Sequence, residues 1–295
     1  MARRRVGAAA AAIVCLLVMP AAFAESECTA STDECVAVGS WSFSVALGAG
    51  VRTNPVFGGR DIPLILVPQF SYYGKRFFID NLDPGVTLFD GESNTLSLVA
   101  SPGYDRVFFY RSDLQNFFVF SATSFTGNNS GATFLVKPPP QSAQDAPANA
   151  RELPQPARKV TYLAGPEWTF KRGSLTGQVD YLHEITGHTH GDELRAAVGM
   201  PIGPLLGGSV SARTGLTWKS ASTVNYYYGY PGLYRAGWAL NPFVKLGYSR
   251  PLSSKWQLDA FVHVERLGNA ISDSPIVDRH YVTTAFIGAT YVFHK

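Results

Sequence analysis

Three histidines and two carboxylates lie within one stretch of ten residues, where they could bind a metal ion. They are His183, Glu184, His188, His190 and Asp192. Imidazole and carboxylate groups at such spacing are ligands for Zn²⁺ or Cu²⁺. Threonine and glycine residues between them are equally typical of a polar surface loop. The loop interpretation is preferred because no C-x-x-C, Walker or H-E-x-x-H motif accompanies them. We therefore predict no metal site, and His183, His188 and His190 are kept only as candidates.

Groups for hydrolytic chemistry are also present but form no recognisable motif. Asp180, His183 and His263 could combine with one of the many serines in a Ser/His/Asp arrangement. With six histidines in 295 residues, such combinations are expected by chance. We predict no catalytic residues, no cofactor and no enzymatic activity. A net charge of +3 with only 16% charged residues gives no indication of nucleic-acid binding.

The N-terminus has the three parts of a secretory signal peptide. Arginines at positions 3 to 5 precede an apolar run over 6–19, and Ala22-Phe23-Ala24 provides small residues for cleavage after Ala24. Residues 1–24 are therefore predicted to be removed during Sec-dependent export. In the lead that follows, residues 25–40, Cys28 and Cys35 are the only cysteines of the mature chain. Because the exported compartment is oxidising, we expect them to form a disulfide.

The elements that would position these groups are strands, because apolar and small or polar residues alternate through most of the mature chain. The segments 41–52 and 281–293 show this pattern, which indicates two different environments on the two strand faces. Charged residues lie almost only on the second face, which is typical of a watery barrel interior. The predicted interior charges are Arg195, Arg213, Lys245, Asp259 and Glu265. They could line a solute path, or form ion pairs that block one.

The predicted fold is all-β, a closed antiparallel transmembrane barrel over residues 41–295 with a long insertion at about 105–158. Seven regular strands follow position 159, and four precede Tyr104, including one over 76–88 with a bulge at Asp83-Pro84-Gly85. An even number is needed to place both ends on one side of the membrane. Residues 117–125 are the best candidate for the missing strand. We therefore predict twelve strands, with ten as the alternative count.

A tyrosine-rich run follows position 225, with tyrosines at 226, 227, 228, 230 and 234. Such a run could be a binding surface for sugar or protein. It is also what an aromatic girdle requires, since a ring with a polar tip suits the headgroup level. The girdle is the preferred interpretation.

Several sequence motifs resemble those of the MltA-interacting protein (MipA/OmpV) family of Gram-negative outer-membrane proteins. They include GAGVRTNPVFGGRD, PQFSYYGKRFFID and LGYSRPLSSKWQLDAFV, and Ser274-Pro275 before the final strand is the most specific of them. The resemblance implies an outer-membrane barrel regarded as a scaffold. In that role it would hold a murein-degrading lytic transglycosylase and a penicillin-binding synthase together during wall growth. Some relatives resemble adhesins or are linked to permeability, and the family offers no catalytic residues.

The functional expectation is therefore a non-enzymatic scaffold in the Gram-negative outer membrane. Its partners would be outer-membrane lipid, a murein hydrolase and a penicillin-binding protein, the last two by family resemblance alone. The interior charges motivate a different class, a narrow pore or transporter for small solutes, and an adhesin is a further alternative. Conductance measurements would separate a pore from a scaffold.

Overall fold

A computed structural model describes residues 39–110 and 157–294 of the chain. The sheet closes on itself as a barrel of twelve antiparallel strands, which confirms the predicted fold. The strands are β1 (Ser40–Arg52), β2 (Ile62–Tyr73), β3 (Phe77–Asp80), β4 (Asp83–Asp90), β5 (Asn94–Pro102), β6 (Tyr162–Arg172), β7 (Leu175–Glu184), β8 (Asp192–Leu205), β9 (Gly208–Lys219), β10 (Ala239–Pro251), β11 (Trp256–Arg266) and β12 (Tyr281–His294). A 3₁₀ helix (Tyr104–Phe108) follows β5, α1 (Ala221–Tyr228) follows β9, and α2 (Asn269–Ser272) follows β11.

Two-residue alternation produces an apolar outer surface and a mixed interior. On the outside, Leu47 is 61% exposed and Ile287 is 55% exposed. Their inward neighbours Ala46 and Phe286 are 0% and 4% exposed. Because most strands turn large apolar residues outward, the barrel has the surface that a hydrocarbon environment requires.

The seam between the first and last strands uses glycine for a close approach. Gly48 of β1 lies opposite Gly288 of β12 in the register. A Cβ atom added to Gly48 would lie 2.2 Å from the carbonyl oxygen of Ile287. Since real Cβ atoms do not come so close to an oxygen, only glycine lets the two backbones pair here.

The twelfth strand comes from a different place than predicted. The expected single strand over 76–88 is split into β3 and β4, which pair with each other around a tight turn at Asn81 and Leu82. Asn81 adopts a left-handed φ of 55°, which asparagine tolerates. Its side chain and its N–H both bond to the backbone of Phe70. The predicted bulge at 83–85 is therefore wrong.

The strand proposed at 117–125 is not needed to close the ring. β5 pairs directly with β6 from Asn94↔Phe170 to Pro102↔Tyr162, so no strand lies between them. Residues 117–125 lie outside the described residues. The predicted even number is correct, and the extra strand comes from the split hairpin.

The two ends of the barrel differ in their connections. Turns over 173–174, 206–207 and 252–255 join strands at what we call the short-turn end. Connections over 185–191, 220–238 and 267–280 join strands at the long-loop end, where α1 and α2 lie. No helix in the described part of the chain is long and apolar enough to cross a membrane.

Candidate functional site

The long-loop end carries a packed hydrophobic cluster, which we call the cap. It joins α1, α2 and the residues after the 3₁₀ helix to the ends of β10 and β12. Its buried members are Val224, Tyr227, Tyr228, Ala236, Ala239, Leu267, Ile271 and Val282, with Phe108 and Phe109 among those packed against them. These residues come from three separate stretches of the chain, 108–109, 224–239 and 267–282, so the connections at this end form one folded unit.

The tyrosine-rich run lies in the cap. Ser220 caps α1 by accepting a hydrogen bond from the N–H of Thr223, and Gly229 ends the helix. Tyr227 is 1% exposed and Tyr228 is 0% exposed. The girdle interpretation is wrong for these two residues, because a girdle tyrosine would face lipid and not a protein core.

A buried ion pair fastens the 3₁₀ helix to the barrel wall. Lys219 Nζ of β9 lies 2.5 Å from Asp105 Oδ2, and both side chains are almost fully buried. The Tyr228 hydroxyl donates a hydrogen bond of 2.8 Å to Asp105 Oδ1. Burial and then the neighbouring Asp105 carboxylate raise the pKa of Tyr228 well above its usual range. The hydroxyl therefore stays protonated and remains a donor, so both carboxylate oxygens of Asp105 are paired.

A second anchor lies where residues 111–156 leave and rejoin the described chain. The Arg158 guanidinium donates to the carbonyl oxygen of Tyr227 at 2.8 Å and lies 5.3 Å from the Phe109 ring centroid. The backbone N–H of Arg158 donates a hydrogen bond of 3.0 Å to the Tyr110 hydroxyl. Tyr110 and Arg158 are therefore both held against the cap.

The five charges predicted to face the interior all lie at inward positions of the barrel wall. Arg195 is 8% exposed and donates to Glu193 at 2.9 Å and to Ser101 at 2.8 Å. Asp259 is 1% exposed and accepts hydrogen bonds from Thr290 and Gln257, while Glu265 accepts one from Asn241. Arg213 and Lys245 are half-buried and lie opposite each other on β9 and β10.

Charges of opposite sign occupy different arcs of the interior. The register places Arg213, Lys245 and His263 side by side on β9, β10 and β11. On the other arc, a cavity of about 430 Å³ is lined by six acidic residues, of which Asp80, Asp83, Glu167 and Asp180 lie inside the barrel wall; Lys171 and Arg195 also line it. Sequence reasoning placed only Asp180 of these four on an inward face. Asp80 and Asp83 were missed because the split hairpin was read as one irregular strand.

Apolar side chains fill part of the interior beside the basic arc. Ala46, Leu64, Val67, Phe261 and Phe286 form a buried cluster across β1, β2, β11 and β12. The Phe261 and Phe286 rings stack with centroids 5.9 Å apart. This cluster narrows the space that a solute could cross.

The histidine-rich loop is organised by a carboxylate and not by a metal geometry. The Glu184 carboxylate accepts backbone N–H bonds from His188, Thr189 and His190, each at 3.0 Å, and also binds Thr186. His183 Nδ1 lies 2.8 Å from Asp192 Oδ1. Across residues 39–110 and 157–294, no three His, Cys, Asp or Glu side chains are placed to share a metal ion. Cys28 and Cys35 lie outside the described residues.

Comparisons with known proteins identify the family. The "MltA-interacting protein" of Escherichia coli K12 and that of Shigella flexneri are each 24% identical over 290 residues, covering 89% of this chain and 95% of the relative. Among solved structures, a loop-deletion mutant of the outer membrane protein OmpT of Vibrio cholerae gives a TM-score of 0.35 at 10% identity, over 87% of this chain and 100% of that one. A porin gives a TM-score of 0.34 at 8% identity, over 86% and 100% of the two chains. The family model of MltA-interacting protein MipA matches residues 45–293, and the chain therefore belongs to that family.

Proposed function

We propose that this chain is a non-enzymatic barrel of the outer membrane that binds a murein lytic transglycosylase at its short-turn end. Family membership over residues 45–293 is the observation that carries the proposal. The two relatives are named for an interaction with MltA, and the family resemblance implies that this partner is a lytic transglycosylase. The cap occupies the long-loop end of the barrel. The proposed partner-binding surface is therefore the set of short turns at the opposite end.

The outer surface and the predicted signal peptide support the proposed location. The apolar exterior suits hydrocarbon, and a predicted signal peptide over 1–24 would export the chain. Barrels of the outer membrane have short periplasmic turns and longer external loops. In that orientation, the turns over 173–174, 206–207 and 252–255 face the periplasm, where a murein enzyme acts.

Exposed leucines at two neighbouring short turns are the proposed contact with the transglycosylase. Leu206, in the turn between β8 and β9, is 78% exposed, and Leu252, between β10 and β11, is 53% exposed. The Tyr248 hydroxyl of β10 reaches the carbonyl oxygen of Leu206 at 3.4 Å, so the two turns are adjacent. A contiguous apolar patch exposed at water-facing turns is typical of an interaction site, and we propose that the two leucines contribute to one. We call Leu206 and Leu252 the leucine turns.

The wider scaffold role, in which a penicillin-binding synthase is recruited as well, rests on the family resemblance alone. The short-turn end of this barrel has two regions. One is formed by the leucine turns, and the other by the turns that join β4 to β5 and β6 to β7. Two partners could therefore bind without competing. Co-purification of both enzymes with one barrel is the outcome this role requires.

Site-specific crosslinking in cells tests the proposed surface. A photo-crosslinking residue replaces Leu206, and the control replaces Leu233, which is 60% exposed in the 220–238 connection at the long-loop end. We expect a crosslink to a lytic transglycosylase from position 206 and none from position 233. Equal crosslinking from both positions, or none from position 206, would contradict the proposed surface.

The separation of interior charges favours a second candidate function, a narrow pore for small solutes. The acidic and basic arcs of the barrel interior would orient a solute that carries both a positive and a negative charge. The cap and the Phe261–Phe286 stack oppose an open path. Steady single-channel conductance steps from refolded protein would favour the pore over a pure scaffold.

A further inference from the structure

The acidic cavity holds two pairs of like charges that face each other across neighbouring strands. Asp80 of β3 lies opposite Asp83 of β4, and Glu167 of β6 lies opposite Asp180 of β7. All four side chains line the cavity of about 430 Å³. Carboxylates directly opposite each other repel and destabilise a sheet. The fold therefore places these four carboxylates where their mutual repulsion is unfavourable.

Two cations of the described chain attract some of these groups without forming an ion pair with them, Arg195 acting on Asp83 and Asp180 and Arg213 on Asp180. None of them forms an ion pair with a lysine, arginine or histidine in residues 39–110 or 157–294. Arg195, at the edge of the cavity, is paired instead with Glu193. Glu167 and Asp180 share one neutral donor, Gln178 Nε2, at 2.8 and 2.9 Å.

Asp83 supplies a second and independent sign of a missing partner. Its Oδ1 atom is buried and accepts no hydrogen bond from any residue of the described chain. Removing a carboxylate oxygen from water without a donor is costly, so such atoms in proteins normally meet a cation or a ligand. The atom belongs to a side chain that lines the cavity.

We infer that the acidic cavity binds a small organic polyamine, with amino groups at the two carboxylate pairs. β5 lies between β4 and β6, so Asp83 and Glu167 are about 10 Å apart across the strands, twice the spacing of neighbouring strands; they are also offset along the strands, because Gly85 lies opposite Val99 whereas Glu167 lies opposite Ser97. Val99 of β5 and Phe78 line the space between the pairs and suit a methylene chain. A single metal ion does not fit, because no three acidic or histidine groups of the described chain converge on one point.

The cavity lining also indicates how the ligand enters. It includes Gly91, Glu92 and Ser93, the turn between β4 and β5 at the short-turn end. It ends at Ser101 and Arg195, deep in the barrel toward the cap. A polyamine would enter from the short-turn end, which is the periplasmic side in the proposed orientation. The site does not depend on binding of a transglycosylase.

Calorimetric titration of spermidine into the full mature chain, refolded in detergent at low ionic strength, tests the inference. The test variant carries Asp83→Asn and Glu167→Gln, one change in each pair. The control carries Asp273→Asn and Asp278→Asn, which remove the same two charges from exposed positions after α2. Because the test changes relieve repulsion, the variant is expected to fold, and circular dichroism checks this.

We expect saturable binding of one spermidine by the wild type and the control, and at least tenfold weaker binding by the test variant. Propylamine, with one amino group, should bind at least tenfold more weakly than spermidine to the wild type. The inference is overturned by absent binding to the wild type, by equal loss in test and control variants, or by equal affinity for propylamine. Displacement of spermidine by equimolar Mg²⁺ would also overturn it, since the site would then be a metal site.

Discussion

Replacing Val262 by arginine tests which environment surrounds the barrel. Val262 lies in the middle of β11, faces outward, and is 47% exposed. Its neighbours in the register are Leu246 of β10 and Ala285 of β12, so nothing nearby can pair with a cation. Arginine on the lipid face near the membrane midplane costs about 2–4 kcal/mol. At about 1.4 kcal/mol per tenfold, the unfolding equilibrium constant should rise about 30- to 1,000-fold.

The same substitution in water would be nearly neutral, because exposed surface changes usually stay within about 0.5 kcal/mol. Urea unfolding in lipid vesicles therefore separates a lipid-facing site from a water-facing one. His263 is a poor inward control, because it lies opposite Lys245 and an added cation would be repelled. Gln257→Arg on the same strand is better, since Gln257 lies 2.7 Å from the Asp259 carboxylate. Equal stability changes for Val262→Arg and Gln257→Arg, or recovery of the wild type without detergent, would refute the transmembrane assignment.

Three further predictions concern the cap, the interior and the mature N-terminus. Lys219→Met should lower the unfolding free energy by about 3–5 kcal/mol, because it leaves Asp105 buried without a cation. Adding Asp105→Leu to that variant should restore most of the lost stability. Urea unfolding of the single and double variants measures both effects, and additive losses of stability would contradict the prediction. Planar-bilayer recordings of refolded wild type should show no steady single-channel steps, since the cap and the apolar cluster obstruct the interior. The non-reduced mature chain should contain no titratable thiol if Cys28 and Cys35 are bridged, and one thiol per cysteine would rule the disulfide out. Reduction should change barrel stability little, because the bridge would close a loop of only 6 intervening residues.

The fold was predictable because its main determinant is local. Alternation within single strands such as β1 and β11 shows which side chains face out, and the even strand number follows from the geometry of a barrel. The split between β3 and β4 was not predictable in this way, because it depends on a left-handed Asn81 whose side chain bonds Phe70 in another strand. Pro84 inside β4, opposite Ile79, made the stretch look like a bulge.

The candidate sites were less predictable, because their residues meet only after folding. The acidic cavity combines side chains from β3, β4, β6 and β7, none of which forms a sequence motif with the others. Tyr227 and Tyr228 were read as interface residues because tyrosine suits headgroups as well as protein cores. Their burial depends on contacts with α2 and the 3₁₀ helix, which a local pattern does not reveal. The histidine-rich loop was correctly treated as a loop, and Glu184 is the group that orders it.

Binding of a purified lytic transglycosylase to this barrel in lipid nanodiscs tests the central claim most directly. Biolayer interferometry would compare wild type, Leu206→Asp and Leu233→Asp, of which the last changes another exposed leucine, at the opposite end of the barrel. We expect saturable one-to-one binding by the wild type and Leu233→Asp, and at least tenfold weaker binding by Leu206→Asp. Wild-type binding no stronger than that of empty nanodiscs would contradict the proposed function.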